Sequence, residues 1–435
     1  MAFLTTRRAL IATAGALALS TALAVPASAE DVTLTYMTDN APNTVATAEA
    51  MIKAFEAANP GIKIEYESRP GGTDGDNIIK TRLATGEMTD LFLYNTGSLF
   101  QAINPTTNLV DLSDQPWQGD VLDSFKVTVT GTDGMVYGAP IGTAMGGGIL
   151  YNIPIYKELG LSVPKTWADF MANNEKIKAA GKVPVIQSFG VGSTWTSQLF
   201  VLGDFFNVQT AVPNFAADYT AGKAKYASTP AALKGFQYGE DVFKAGYLNP
   251  DFAVATFEEA VVKVATGEGA HYPMLSFAVS TIQTLSPENV NNVGFFAIPG
   301  DDAAKNGLTV WTPAGIYIPK TSKHPEEAKK FLAYVASVAG CDIQTATVGA
   351  AGPYVVKGCT LPTDVPPVVA DLLPYFQQEG TTSPALEFVS PIKGPNLEQI
   401  TVEVGSGIRP AAEAAALYDE DVKKQAMQLG LPGWN

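Results

Sequence analysis

The sequence predicts an α/β protein built as two units, with a chain that leaves the first, forms the second and then returns. Three observations carry that expectation. Strand and helix patterns alternate from Val32 onward, as they do in sheets of parallel strands. A glycine-rich stretch, Pro140 to Phe170, stops the first run before it closes on itself and starts another. At 435 residues the chain is also too long for one domain of roughly 100–200 residues.

The amino terminus is set aside before composition is read. Arg7 and Arg8 give a charged start, Ile11 to Val25 an apolar run too short to span a bilayer comfortably, and Ala27-Ser28-Ala29 a small-residue cleavage site. Residues 1–29 therefore read as a secretory signal peptide, of twin-arginine type or an arginine-containing Sec signal of the same outline. No cysteine lies near the cleavage site, so the mature chain is expected free in the periplasm and not lipid-anchored. The removed segment holds two arginines and no acids, which takes the net charge from −15 to −17. Such acidity argues against nucleic acid and anionic lipid as partners. Cys341 and Cys359 are the only cysteines, and an exported protein meets oxidising conditions, so a disulfide between them is expected.

Taken in order, Val32, Leu34 and Tyr36 alternate with threonines and predict a strand ending near Asp39-Asn40. Ala48, Ile52 and Phe55 recur at helical spacing, Asn59-Pro60-Gly61 stops that helix, and Ile62, Ile64 and Tyr66 alternate again. That is a parallel pair with its crossover. A glycine-rich loop carrying Asp74 and Asp76 leads to a further helix and then to Leu91-Phe92-Leu93-Tyr94, a continuous apolar strand of the kind parallel sheets bury on both faces. Ligands bind such sheets at the carboxyl ends of their strands, which singles out Asp39, Asn40, Tyr94 and Asn95. Gly146, Gly147 and Gly148 read as a hinge, and Ile149-Leu150-Tyr151 as the strand it enters. Thr166-Trp167-Ala168-Asp169 is a capping-box pattern that starts a helix at Trp167.

Farther on, Val183 to Phe189 predicts a strand and Trp195 the start of an apolar helix. Residues 228–246 and 256–266 read as helices, and Met274 to Thr281 runs toward the cleft with Phe277. Thr309 to Gly315, with Trp311, reads as a second passage between the units. The helix after Pro325 carries a stripe of Ala328, Phe331, Leu332 and Val335. A third passage is expected at Val348 to Tyr354, and residues 364–429 read as helices with loops.

The residue types limit the chemistry. Only two histidines are present, His271 and His324, far apart in sequence, so neither a metal site nor a cofactor site has support. No nucleophile elbow or phosphate-binding loop occurs, which leaves paired carboxylates as the one catalytic arrangement open to a secreted carbohydrate-active enzyme. Aromatics near the passages are the positive signal. A sugar has an apolar C–H face that packs on a flat ring and a rim of hydroxyls that need donors and acceptors. Tyr94, Trp195, Phe277 and Trp311 fall where such rings belong, whereas Trp167 reads as core.

The order of Pro140, the glycine bend, Leu150-Tyr151-Asn152, a short helix, Pro164-Lys165-Thr166-Trp167 and an amphipathic helix resembles the extracellular solute-binding proteins of carbohydrate ABC transporters, the group that includes maltose-binding protein. Gly267 to Ala270 and Ile318-Pro319-Lys320 through Phe331 extend the resemblance, although His271 stands where the family more often has methionine. The resemblance implies a two-lobed periplasmic-binding-protein fold of type II with three inter-lobe crossings. Residues 30–140 and 312–348 would form one lobe, and residues 141–311 and 349–435 the other. It further implies a non-enzymatic, monomeric receptor that holds a mono- or oligosaccharide among Asp39, Asn40, Tyr94, Asn95, Trp195, Phe277 and Trp311 and hands it to a membrane permease. Around Met145 the chain lacks the polar or acidic residue common in oligosaccharide binders, which leaves room for a smaller sugar or polyol. Glycerol phosphate or a polyamine is the other ligand class left open.

Overall fold

The first sheet grows from the alternation at the start of the mature chain, and the computed structural model describes residues 31–434 of it. The signal peptide read at residues 1–29 lies outside the described residues. In β1 (Val32–Asp39) Leu34 and Tyr36 turn into the core, and β2 (Ile62–Arg69) pairs with it in parallel from Val32 opposite Ile62 to Asp39 opposite Arg69. The helix Pro42–Ala58 makes the crossover and buries Ala48, Met51, Ile52 and Phe55 along one face. β3 (Leu91–Tyr94), buried throughout, lies on the other side of β1, and β4 (Gly138–Ile141) belongs to the same sheet.

From Gly142, whose φ of +105° suits a residue without a side chain, the chain passes to a second sheet. Its centre is β5 (Met145–Asn152), and β6 (Val183–Val185), β7 (Gly269–Leu275), β8 (Val293–Ala297) and β9 (Leu308–Trp311) follow. β5 has β7 on one side and both β8 and β9 on the other, all antiparallel. After Trp311 the chain returns, because β10 (Ala314–Tyr317) inserts between β3 and β4 of the first sheet. The helix Pro325–Val335 then packs on that sheet, with Phe331 edge-on to Tyr36 and Phe55 at 5.5 and 5.1 Å. β11 (Thr382–Pro384) finally joins β9, giving orders β2-β1-β3-β10-β4 and β11-β9-β5-β7-β6 with β8 beside β5.

Several expectations need correction. The glycine triple is not the hinge: Gly146 to Gly148 lie inside β5, where neighbours press too close for a β-carbon, and the passage is at residues 142–144. The strand expected at 183–189 ends at Val185, because Gln187 leaves the sheet to donate its backbone N–H to Asn249 Oδ1 at 2.8 Å. Residues 355–359, expected with the second lobe, pack beside the first, whereas Ala351 still accepts the hydroxyl of Ser276 in the second lobe at 3.0 Å. Leu122 N–H donates to Val355 O at 2.8 Å, Lys357 N–H donates to Asp120 O at 2.7 Å, and the Cys341–Cys359 disulfide (Cα–Cα 6.0 Å) ties this segment to the helix Val338–Val348. The bridge read from the two cysteines is present.

Candidate functional site

The carboxyl ends of β1, β3 and β4 point toward the Met145 end of β5 and the Trp311 end of β9. Between them lies a cleft of about 480 Å³, within the roughly 300–1,000 Å³ typical of small-molecule sites. Its two walls differ in chemistry.

The first-lobe wall is polar. β1 ends at Asp39, whose Oδ1 accepts the Ala41 N–H at 3.0 Å and so shapes the turn into the helix Pro42–Ala58. Asn40 follows it into the cleft, exposed, and Asn95 and Thr96 enter beside it after β3. At the floor Arg69 is buried and its Nη1 donates to its neighbour's carbonyl, Pro70 O, at 3.0 Å. It forms no ion pair among the described residues. Beside it Asp76 lies in the first turns of the helix Gly72–Thr85, not on a loop, and lines the cleft while Asp74 stays exposed. Burial raises the Asp76 carboxyl above its usual range, partly offset by the Arg69 charge.

The second-lobe wall is aromatic. Trp195 stacks on Phe277 (centroids 6.1 Å apart, planes 28° apart), and Phe257 packs against both at 5.3 and 5.6 Å. Local chemistry explains the placement. Thr256 and Glu259 form a capping box that starts the helix Phe257–Thr266, and the Phe257 N–H donates to Ser193 Oγ at 2.9 Å. Gly190 N–H donates to Ala255 O at 2.9 Å. These bonds hold the turn that carries Trp195 against the helix that carries Phe257. Trp195 itself sits in one tight helical turn, Thr194–Gln198, and the regular helix begins only at Leu199. Trp311, at the end of β9, lies over Gly147, where a β-carbon would come within 2.3 Å of the ring.

Of the seven residues singled out from sequence, six line the cleft: Asp39, Asn40, Asn95, Trp195, Phe277 and Trp311. Tyr94 does not. Its side chain turns inward and is 1% exposed, beneath Arg69, whose guanidinium carbon is 5.9 Å from the ring centroid. Burial, with the Asp76 carboxylate nearby, pushes its hydroxyl well above the usual tyrosine value. Trp167 is core, stacked on Tyr238 at 3.9 Å. Sequence reasoning missed Phe257, Glu387, Lys393 and Glu398, all of which line the cleft.

The lobes touch at the mouths of the cleft. Thr281 Oγ1 donates to Asn43 Oδ1 at 3.0 Å on one side. On the other, Glu398 is buried and its Oε1 accepts the Thr73 N–H at 3.4 Å and the Thr73 hydroxyl. Its carboxylate thus stands at the start of the helix Gly72–Thr85, which has no side-chain cap of its own. Among the described residues no group of three or more His, Cys, Asp and Glu could hold a metal ion.

Residues 41–340 match the family of bacterial extracellular solute-binding proteins. A multiple sugar-binding protein of Streptococcus mutans is 28% identical over 306 residues, 67% of this chain and 68% of that protein. The melibiose/raffinose/stachyose-binding protein MelE of Bacillus subtilis is 24% identical over 298 residues, 67% of this chain and 66% of MelE. Among solved structures, a chitin oligosaccharide binding protein superposes with a TM-score of 0.79 at 23% identity, over 91% of this chain and 99% of its own. RafE in complex with raffinose gives 0.73 at 22% identity, over 92% and 99%. The likeness extends over both lobes.

Proposed function

The chain belongs to the bacterial extracellular solute-binding proteins, and from that premise we propose that it captures a carbohydrate in the cleft between its lobes and delivers it to the permease of an ABC importer. One observation carries the reading: a wall of stacked rings faces a wall of amide and carboxylate side chains across a cavity of about 480 Å³. A pyranose needs both at once, flat apolar area for its C–H face and paired polar groups for its hydroxyls. The relatives that bind raffinose, stachyose or chitin oligosaccharide support the same class.

In this reading residues 31–140 with 312–348 form one lobe and residues 141–311 with 360–434 the other, residues 349–359 lying between them. A ligand that touches both walls favours the closed arrangement, and one that touches a single wall does not. The permease reads closure, so binding and release replace turnover. Signal-directed export would put the protein in the periplasm, where it acts as a monomer. Within the cleft Asp39, Asn40 and Asn95 bind hydroxyls, while Trp195, Phe277 and Trp311 take ring faces.

Glycerol phosphate fits less well, because two of the three cations lining the cleft stand beside acids: Lys393 pairs with Glu387 at 2.8 Å and Arg69 adjoins Asp76, which leaves Lys80 without an ion pair among the described residues. A thermal-shift screen decides between the ligand classes. Galactose, tagatose, raffinose, stachyose and chitin oligosaccharides form one arm, and glycerol phosphate and polyamines the other. A ligand at 100 times its dissociation constant adds roughly 2.7 kcal/mol of stability. A shift confined to neutral sugars supports the proposal. Shifts only in the other arm, or none anywhere, overturn it.

A further inference from the structure

Trp311 is held at two edges. On one side the ring fills the space left by Gly147, where a β-carbon would lie 2.3 Å from it. On the other its indole Nε1 donates to Glu387 Oε2 at 2.8 Å. The second oxygen of that carboxylate accepts from Lys393 Nζ, also at 2.8 Å, and both side chains of this ion pair are close to fully covered. An indole N–H given to a carboxylate is a charge-assisted bond, stronger than one between neutral groups.

The acceptor is fixed in its turn. Glu387 belongs to the single helical turn Leu386–Val389, which rests on the first lobe at Gly97. A β-carbon there would come within 2.4 Å of the Glu387 carbonyl oxygen and 2.6 Å of the Phe388 ring, so contact between the lobes is backbone-close at this point. Gly97 has φ +68° and ψ −133°, a conformation open in practice to glycine alone.

We infer that Glu387 is a positioning residue for the ligand platform. It sets the plane of Trp311 and occupies the indole N–H, so that the ring offers the ligand its face and not its donor. The inference rests on the carbohydrate reading of the cleft.

The test is a double-mutant cycle read by sugar affinity, with Glu387→Ala, Glu387→Gln and Trp311→Phe. Glutamine keeps an oxygen for the indole and loses the ion pair with Lys393, whereas phenylalanine keeps a ring and loses the N–H. Loss of the bond predicts sugar binding about tenfold weaker in Glu387→Ala. Glu387→Gln should stay within about threefold of the parent, and Glu387→Ala made on Trp311→Phe should cost less than about twofold further. Equal losses in the alanine and glutamine variants, or a full alanine effect on the phenylalanine background, would overturn the inference. The Trp311 indole ¹⁵N–¹H signal of the sugar-free protein, assigned by its absence in Trp311→Phe, supplies a readout that needs no ligand. It should move and exchange faster with solvent in Glu387→Ala but not in Glu387→Gln, and an unmoved signal contradicts the clamp. If no sugar binds the parent protein, the carbohydrate reading fails while the indole signal still reports on the clamp.

Discussion

The two walls of the cleft are built on sheets of different kinds and carry different chemistry. In the first lobe, parallel strands end at the cleft, and the residues just past those ends, Asp39, Asn40 and Asn95, are short polar side chains on turns. In the second lobe, antiparallel β5, β7 and β9 meet the cleft, and large rings reach it from a tight turn, two helix starts and a strand end: Trp195, Phe257, Phe277 and Trp311. Polar groups at turns select hydroxyl geometry. Rings locked by neighbours provide contact area with little rotamer entropy left to lose. On the proposed function, the difference assigns hydroxyl recognition to the first lobe and ring stacking to the second, so that full binding would require both walls together.

Removing the rings should break this division most severely. Trp195→Ala combined with Trp311→Ala removes two anchors of hot-spot type at about 2 kcal/mol each, so sugar affinity by calorimetry should fall on the order of a thousandfold. A loss under tenfold would mean that the aromatic wall is mere core. Next comes the disulfide, which closes the segment 341–359 whose Gln344, Val348 and Tyr354 line the cleft. Cys341→Ser with Cys359→Ser should cost about 3 kcal/mol of unfolding free energy in denaturant titrations. Sugar affinity should change by less than about threefold, since no wall residue is removed.

A third test separates the lobes by pH. His271 lies in β7 behind the aromatic wall, fully buried, with Nε2 2.7 Å from the Tyr156 hydroxyl and Nδ1 2.8 and 2.9 Å from Asn174 Oδ1 and Pro184 O. Two acceptors at Nδ1 place the proton there and leave Nε2 to accept from tyrosine, so the neutral ring is satisfied. Burial lowers its pKa to about 3. A depressed folded value means the stabilisation is complete above the unfolded pKa of about 6.5 and is lost as pH falls toward the folded one, at about 1.4 kcal/mol per pH unit. Wild type compared with His271→Gln isolates this slope from the buried carboxylates, whose raised values act in the opposite sense. The difference in stability should shrink steadily between pH 6.5 and 3; a constant difference rules out a buried neutral imidazole.

The smallest effect is expected on the polar wall. Asn40 is exposed and forms no side-chain bond among the described residues, so Asn40→Ala should leave the melting temperature unchanged. It should weaken sugar binding by roughly 1 kcal/mol, about fivefold. Asp39→Ala would lose stability as well, since Asp39 also holds the turn at Ala41.

Much of the fold could be read from the sequence because the period of two in β1 and β2, the apolar run of β3 and the capping boxes at Thr166 and Thr256 are local signals. The first-lobe wall was legible for a topological reason: parallel strands end where ligands bind, and that rule needs only the strand ends. Tyr94 marks its limit. One residue along an extended chain reverses the side to which a side chain points, so Tyr94 went under the sheet while Asn95 went into the cleft. Phe257 looks in sequence like any apolar helix start, and the bonds Phe257 N–H to Ser193 Oγ and Gly190 N–H to Ala255 O, remote in sequence, bring it beside Trp195. Glu387 and Glu398 come from a segment that reads as helix and loop, and their roles arise from contacts with Trp311 and Thr73, which local patterning does not encode. The hinge was misplaced because glycine serves two ends, freedom of φ at Gly142 and room for neighbours at Gly146 to Gly148.

The most direct test of a division of labour completed by closure is small-angle X-ray scattering of the protein with and without the sugar that gives the largest thermal shift, on wild type and on the double tryptophan variant. Wild type should contract when saturated, and the variant, at a sugar concentration that saturates its remaining site, should stay at the ligand-free dimension. Contraction of both to the same radius, or of neither, would contradict it.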